Sequence, residues 1–444
     1  MSIGKKQKPG SRRARARGFV AAAVATIVLA AFFSHLRTTA AGKLEIELWH
    51  SLGYQAKGIV DAMVQEYNRS HHGVSVKAVF QGQYEEMEIK VLAAAVGRRL
   101  PAVVQEQFEF MGKYIEEGIL EPVDTLVGKA DRDDIPAAFW DLVSGKDLVS
   151  GKDPASRDGS IYGVPFCVST TVFFYNKDAF KKAGLDPSKP PETWDEMVRM
   201  GKKILERGRG SGIYGYSFWR NGFYGWAPLL WDIGGDLTSN DDQKSVHLST
   251  EQAVRTVDIL RDLVFTHGIM PRNWTDAETG QAFLMGTVAM GPFSCAGIRY
   301  GKENLPWELG VAPLPSMNGK RYTVLAGSAL LNFARGRNER AAAEDFILYL
   351  VSRDNTIRFH EGIGFIPVRK SAMESLELKA FHKSNPDFRV AIATLPDARP
   401  LPYHKEYFKI NKVLVQMMDR VFISGGDPAV ELKWAEDEIG KILN

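Results

Sequence analysis

Paired acids that flank a sugar linkage can hydrolyse it, so the carboxylates of this chain are the first candidates for chemistry. Glu85, Glu86 and Glu88 sit beside Tyr84, and Glu106 and Glu109 follow a stretch rich in β-formers. Helices carry such acids on solvated faces as a rule, and a carboxylate-dependent glycoside hydrolase around Glu85 and Glu109 is therefore the alternative reading. Histidine chemistry is less supported. His50 lies in "LWHSLGYQAKG", where a strand hands over to a helix, yet no nucleophile or metal partner accompanies it. His71-His72 falls in a polar turn, and His360-Glu361 lacks the second histidine of a zinc helix. "RGRGSG" at 207–212 has no Lys-Ser/Thr after it and reads as a helix exit, not a phosphate cradle. With no phosphate loop, nucleophile elbow or zinc-ligand spacing, neither a catalytic residue, a metal nor a cofactor is expected. Cys167 and Cys295 form one bridge or remain two buried thiols; their number alone leaves both open.

Aromatic residues are the stronger signal. "SFWRNGFYGWAPLLWDIGGD", from Ser217, places three tryptophans, a tyrosine and two phenylalanines in fifteen positions. Interleaved Gly222, Gly225 and Arg220 suit a loop. Flat rings bury the apolar faces of polyhydroxylated ligands while their polar edges still bond. Trp219, Tyr224, Trp226 and Trp231 are the candidates, with at least one expected to face a ligand and the others to fill core.

These residues need a scaffold, and the pattern supplies one. Leu44–Trp49, Val74–Phe80 and the segment opening at Pro101 read as strands, alternating with helices over 59–67 and 84–96. That alternation predicts α/β architecture with a largely parallel sheet. Val164–Tyr175 reads as a long strand crossing between lobes, and Thr193 with Glu196 caps a following helix. The hexad Asp-Leu-Val-Ser-Gly-Lys occurs twice over 141–152 and reads as a lengthened surface loop.

Residues 1–41 have a basic start, an apolar run from Gly18 to Phe33 and small residues near Ala40–Ala41. This is the layout of a secretory signal peptide, with retention as an uncleaved anchor the other outcome. The leader holds eight bases and no acid, so without it 48 bases face 53 acids and the net charge moves from +3 to −5. No basic stripe remains for nucleic acid. An exported, periplasmic or otherwise extracytoplasmic chain is expected, with length enough for two lobes.

Longer stretches carry a resemblance: "LWHSLG", "FQGQYEEM", "VPFCVSTTVFFYNKDAFKKAGLDPSKPPETW", "VLAGSALL", "HEGIGFIPVRKSA" and "RPLPYHKEY". The chain resembles the extracellular solute-binding proteins of carbohydrate-type ABC transporters, nearest the sn-glycerol-3-phosphate-binding branch. The resemblance implies a two-lobed periplasmic-binding-protein fold with hinge strands and a central cleft, lobe 1 taking 43–165 plus about 310–350 and lobe 2 taking 166–309 plus about 351–444. It implies a non-enzymatic, monomeric component of an importer. Such a component captures a sugar, a polyol or a glycerol-phosphate derivative (a glycerophosphodiester or sn-glycerol-3-phosphate) and delivers it to the ABC permease.

Matched positions give the implied site: Tyr84 and Glu85, Ser169, Trp219, Ser294 and the backbone of Gly327. Ser51 and Tyr54 fall in the first loop near the ligand, and Tyr224 and Trp226 join from the aromatic segment. Two departures concern phosphate. The family's phosphate-gripping tyrosine is Phe365 here and its arginine is Phe408, with Lys405 or Lys409 as substitutes if the register slips. Phenyl rings cannot supply the charge-assisted bonds a phosphate dianion needs on leaving water. A neutral sugar, a glycoside or a bulkier glycerophosphodiester is expected instead of free glycerol-3-phosphate.

Overall fold

The computed structural model describes residues 42–443 except 125, 146–158, 211, 221, 239–245, 403 and 405. The leader, most of the tandem hexad, part of "RGRGSG" and Lys405 lie outside the described residues. Among the described residues no helix is long and apolar enough to cross a membrane.

The chain opens with β1 (Leu44–His50), α1 (Tyr54–Ser70), β2 (Val74–Phe80), α2 (Tyr84–Val96), β3 (Val103–Gln107) and α3 (Phe108–Glu116). Both β2 and β3 lie parallel to β1, as β-α-β connections require. Next come β4 (Val164–Asn176), α4 (Trp194–Arg207), α5 (Glu251–Phe265), β5 (Met290–Ser294), β6 (Leu309–Ala312) and β7 (Thr323–Asn332). The chain ends through α6 (Arg337–Leu350), α7 (Arg353–Gly362), β8 (Ala398–Pro400), α8 (Tyr407–Phe422) and α9 (Pro428–Leu443). Strand order is β2-β1-β3-β7-β4-β5, with β6 on β4 and β8 on β7.

All thirteen residues of β4 are buried, which a near-continuous run of Val, Phe and Thr allows. Its first half pairs antiparallel with β7 and its second half with β5 and β6. One strand therefore belongs to both lobes. Gly327 in β7 makes the crossing possible: its φ is +143°, and a Cβ there would stand 1.9 Å from the Cys167 carbonyl oxygen. Only glycine lets the two strands approach so closely.

Two apolar cores flank this crossing. Ile46, Leu48, Val103, Phe108 and Phe346 belong to the first; Tyr216, Trp226, Leu230, Leu260 and Met417 belong to the second. The partition differs from the expected boundaries. Phe359, Ile363, Ile366 and Phe388 pack on the first core, so the chain from 351 to about 393 joins lobe 1, and only the segment from Leu401 returns to lobe 2. Phe283, Phe293 and Trp307 also join the first core, through Phe174. An amphipathic helix presents the same apolar stripe whichever core receives it, so sequence order cannot make this choice.

Helix starts are set locally. Thr193 accepts from the Glu196 N–H and Thr250 from the Ala253 N–H, while Thr275 and Glu278 complete a reciprocal capping box. Cys167 and Cys295 are buried free thiols.

Candidate ligand site

Where the lobes meet lies a cavity of about 280 Å³. Tyr84 from the first turn of α2 and Gln107 from the end of β3 form one wall. Cys167, Ser169 and Thr171 come from one side of β4, where alternate residues share a face. Ala326 and Gly327 of β7 lie beside them, and Phe293 and Ser294 of β5 close the floor. Trp219, Tyr224 and Gly225 come from the aromatic loop, and Phe365 from the turn after α7.

A buried glutamine organises the first wall. Gln105 is fully buried in β3, and its Nε2 donates to the Tyr84 hydroxyl at 2.8 Å and to the Ser328 Oγ at 2.6 Å. Its Oε1 accepts from the Ser51 backbone N–H at 3.0 Å. One side chain thus ties the loop after β1, the Tyr84 turn and β7 together. Burial pushes the Tyr84 phenol well above its ordinary value, so it stays neutral and can donate.

The opposite wall is aromatic. Trp219 is 38 % exposed and meets Phe293 edge-on, 5.4 Å between ring centroids. Gly225 keeps the loop tight, since a Cβ there would fall 2.2 Å from the Trp219 carbonyl oxygen. Phe365 is half-buried, and its carbonyl is held by a histidine pair. His360 Nδ1 donates to that carbonyl at 2.8 Å, leaving Nε2 to accept from His382 Nε2 at 2.9 Å. Burial lowers the His360 imidazole to about 4, so the ring is neutral and this tautomer follows.

Of the expected site residues, Tyr84, Ser169, Trp219, Tyr224, Ser294, Gly327 and Phe365 surround the one cavity. Others fall elsewhere. Trp226 is fully buried in the second core and donates from Nε1 to the Gly222 carbonyl. Trp231 is likewise core, as expected for some of the four aromatics. Glu85 is half-buried beside Tyr84 but outside the wall. Ser51 is half-buried and reaches the site only through its N–H to Gln105. Tyr54 opens α1; its side chain lies outside the described residues. Phe408 is on the first turn of α8, under the Lys412 ammonium at 4.2 Å and away from the cavity. Lys409 is exposed and pairs with Glu406 at 2.6 Å.

The helical period explains Phe408, because its neighbour Tyr407 is the residue turned inward, packed edge-on against Phe110. Gln105, Gln107 and the histidine pair escaped the sequence reading. Gln105 left a trace there, as a polar residue inside a strand of buried valines needs a partner.

No formally charged side chain is among the described residues that line the cavity. Glu106 is sealed, accepting from the Tyr114 hydroxyl at 2.8 Å and its neighbour's N–H at 3.0 Å. Glu109 accepts from the Tyr224 hydroxyl at 2.5 Å. Neither they nor Glu85 forms a carboxylate pair across the cavity, so the geometry offers no route to glycoside hydrolysis. His50 is fully buried against Phe80, with its pKa lowered to about 4 chiefly by desolvation, and does not reach the cavity. Groups of three or more metal-ligating side chains are absent among the described residues.

Comparison with known proteins adds family and fold. The family of bacterial extracellular solute-binding proteins matches residues 62–389. The sn-glycerol-3-phosphate-binding periplasmic protein UgpB of Pectobacterium atrosepticum is 24% identical over 396 residues, covering 86% of each chain. Its Salmonella typhimurium counterpart is 23% identical over 416 residues, covering 90% of this chain and 92% of that one. Among solved structures, UgpB from Mycobacterium tuberculosis in complex with glycerophosphocholine superposes with a TM-score of 0.79 at 23% identity, covering 90% of this chain and 99% of that one. The cyclic alpha-maltosyl-1,6-maltose binding protein from Arthrobacter globiformis gives 0.76 at 22%, with the same coverage. The two-lobed binding-protein fold is thereby shown.

Proposed function

The chain belongs to the bacterial extracellular solute-binding proteins, and from that premise we propose that it captures a small polyol, sugar or glycerophosphodiester between its lobes for an ABC permease. Relatives named for binding sn-glycerol-3-phosphate and a structural neighbour in complex with glycerophosphocholine support the ligand class. The carrying observation is the uncharged wall. Rings at Trp219, Tyr224, Phe293 and Phe365 and hydroxyls at Tyr84, Ser169 and Ser294 suit a ligand with apolar faces and several hydroxyl groups.

Free glycerol-3-phosphate fits this wall poorly. A dianion entering it would shed water without a guanidinium or ammonium in return from the described residues of the wall, and Phe365 offers no hydroxyl. A diester carries less charge and presents a larger second group to the rings. The protein works as a monomer, exported by residues 1–41, and closes on its ligand by hinge motion along β4 and β7, because a ligand touching both lobes favours the state in which they meet.

A thermal-shift screen of the chain from residue 42 tests the reading. Neutral sugars, polyols and glycerophosphodiesters should include one that raises the melting temperature, whereas glycerol-3-phosphate should not. Trp219→Ala should weaken that binder about tenfold with folding intact, a loss of roughly 1.4 kcal/mol. Glycerol-3-phosphate emerging as the best stabiliser, or Trp219→Ala binding undiminished, would contradict the proposed wall.

A further inference from the structure

We propose that Glu109 fastens the two lobes through Tyr224 when the cleft is shut, that shutting away its unpaired carboxyl oxygen costs less when the acid carries a proton, and that ligand capture is thereby tuned by ambient acidity. The inference rests on the ligand-cleft reading above and adds a control to it.

The geometry is specific. Glu109 stands on the first turn of α3, 2 % exposed, between Phe108 and Met111 of the first core. Tyr224 comes from the other lobe, in the loop whose Phe223 and Trp226 anchor the second core. Its hydroxyl lies 2.5 Å from Glu109 Oε1, while Glu109 Oε2 is buried with no partner. Because Tyr224 also lines the cavity, the contact fixes one of the ligand's walls. Two further contacts run from α3 to the start of α8: Phe110 meets Tyr407 edge-on at 6.2 Å, and Lys113 stands 4.0 Å from Glu406, the residue just before the helix. These three contacts join the two sides of the cleft, and a hinge opening would part them.

An ionised carboxylate sealed with one bare oxygen has lost hydration that closure does not return. A protonated one loses far less, so closing the cleft should take up a proton. The surroundings agree. Among the described residues, Glu109 faces the phenols of Tyr224 and Tyr407 and the acid Glu106, and beyond these lie the acids Glu85, Glu88 and Glu406 with the cation Lys113. Lys113 is already engaged by Glu117 at 3.1 Å and by Glu406. Burial raises the Glu109 carboxyl to about 7, against a smaller opposing effect from the Tyr224 bond. Opening that withdraws Tyr224 and readmits water would bring the group back toward an ordinary carboxyl value of about 4.3. The sign follows: the closed state is favoured increasingly as pH falls through about 7, and the gain levels off below the open-state value.

The test needs no known ligand. Fluorophores on Val96→Cys, on an exposed position of α2, and on Val430→Cys, on α9, report the distance between lobes by energy transfer. The native thiols are buried and do not compete for label. The ligand-free closed-to-open ratio should rise about tenfold from pH 8 to pH 6. Glu109→Gln keeps an acceptor for Tyr224 without the charge, so its ratio should be high and independent of pH. Tyr224→Phe removes a bond that favours the carboxylate and should move the midpoint to higher pH. A pH-independent wild type, a slope retained in Glu109→Gln or an unmoved midpoint in Tyr224→Phe each overturns the proposal. Adding maltose, glycerol or glycerophosphocholine as probes separates the two readings. Failure of every probe to close the lobes counts against the ligand cleft alone, and closure by a probe without any pH response counts against Glu109 alone.

Discussion

Replacing Gln105 with methionine tests whether one buried side chain assembles the first wall of the cleft. Methionine matches the length of glutamine and is tolerated in cores, so lost packing contributes little. Three hydrogen bonds disappear, to the Tyr84 hydroxyl, the Ser328 Oγ and the Ser51 N–H. A made bond contributes about 1 kcal/mol net, and a buried group left without a partner costs about 1–3 kcal/mol. The Tyr84 hydroxyl can turn to water in the cavity, whereas Ser328 is fully buried and Ser51 half-buried. The expected loss is therefore roughly 2–4 kcal/mol of stability. Urea unfolding of wild type and variant measures it. A double-mutant cycle with Ser328→Ala should show a coupling of about 1 kcal/mol. Binding of the ligand found by thermal shift should weaken as well, because Tyr84 is no longer held. A destabilisation under about 0.5 kcal/mol with unchanged binding would refute the reasoning, since that is the range of an ordinary surface substitution.

Two further outcomes follow from placement and burial. Phe365→Tyr puts a donor into the cavity wall and should raise affinity for glycerol-3-phosphate several-fold by calorimetry, whereas Phe408→Arg, away from the cavity, should leave it unchanged. His50 is held to about 4 by burial against roughly 6.5 when unfolded, so its contribution to stability is complete above pH 6.5 and is lost as pH falls toward 4. That loss is on the order of 1 kcal/mol per pH unit, and His50→Phe should show a shallower fall in melting temperature between pH 6.5 and 5 than wild type.

Much of the fold was legible because its signals are local. The alternation of strands and helices over 44–116, the Thr193 cap and the long apolar strand through β4 each depend on neighbours in sequence. Family motifs brought Tyr84, Ser169, Ser294 and Gly327 forward, and aromatic density brought Trp219 and Tyr224. The same density could not separate these two from Trp226 and Trp231. Which side of a loop meets the core depends on what packs beneath it, here Leu230 and Phe223. Phe408 was misplaced because a one-residue change of register rotates a helical side chain by about 100°.

By itself, the sequence determined the two-lobed α/β class, the apolar crossing strand and the presence of a phenyl ring at Phe365. These follow from residue type, period and motif. Tertiary structure alone decided that the segment from 351 to about 393 returns to the first core, that Gln105 binds three separate segments, and that Glu109 meets Tyr224 across the cleft. Each joins residues far apart in the chain, as Glu109 and Tyr224 are by 115 positions. A hydrogen bond at such range leaves no period or motif in the sequence. It exists only once two cores have packed and brought their surfaces together.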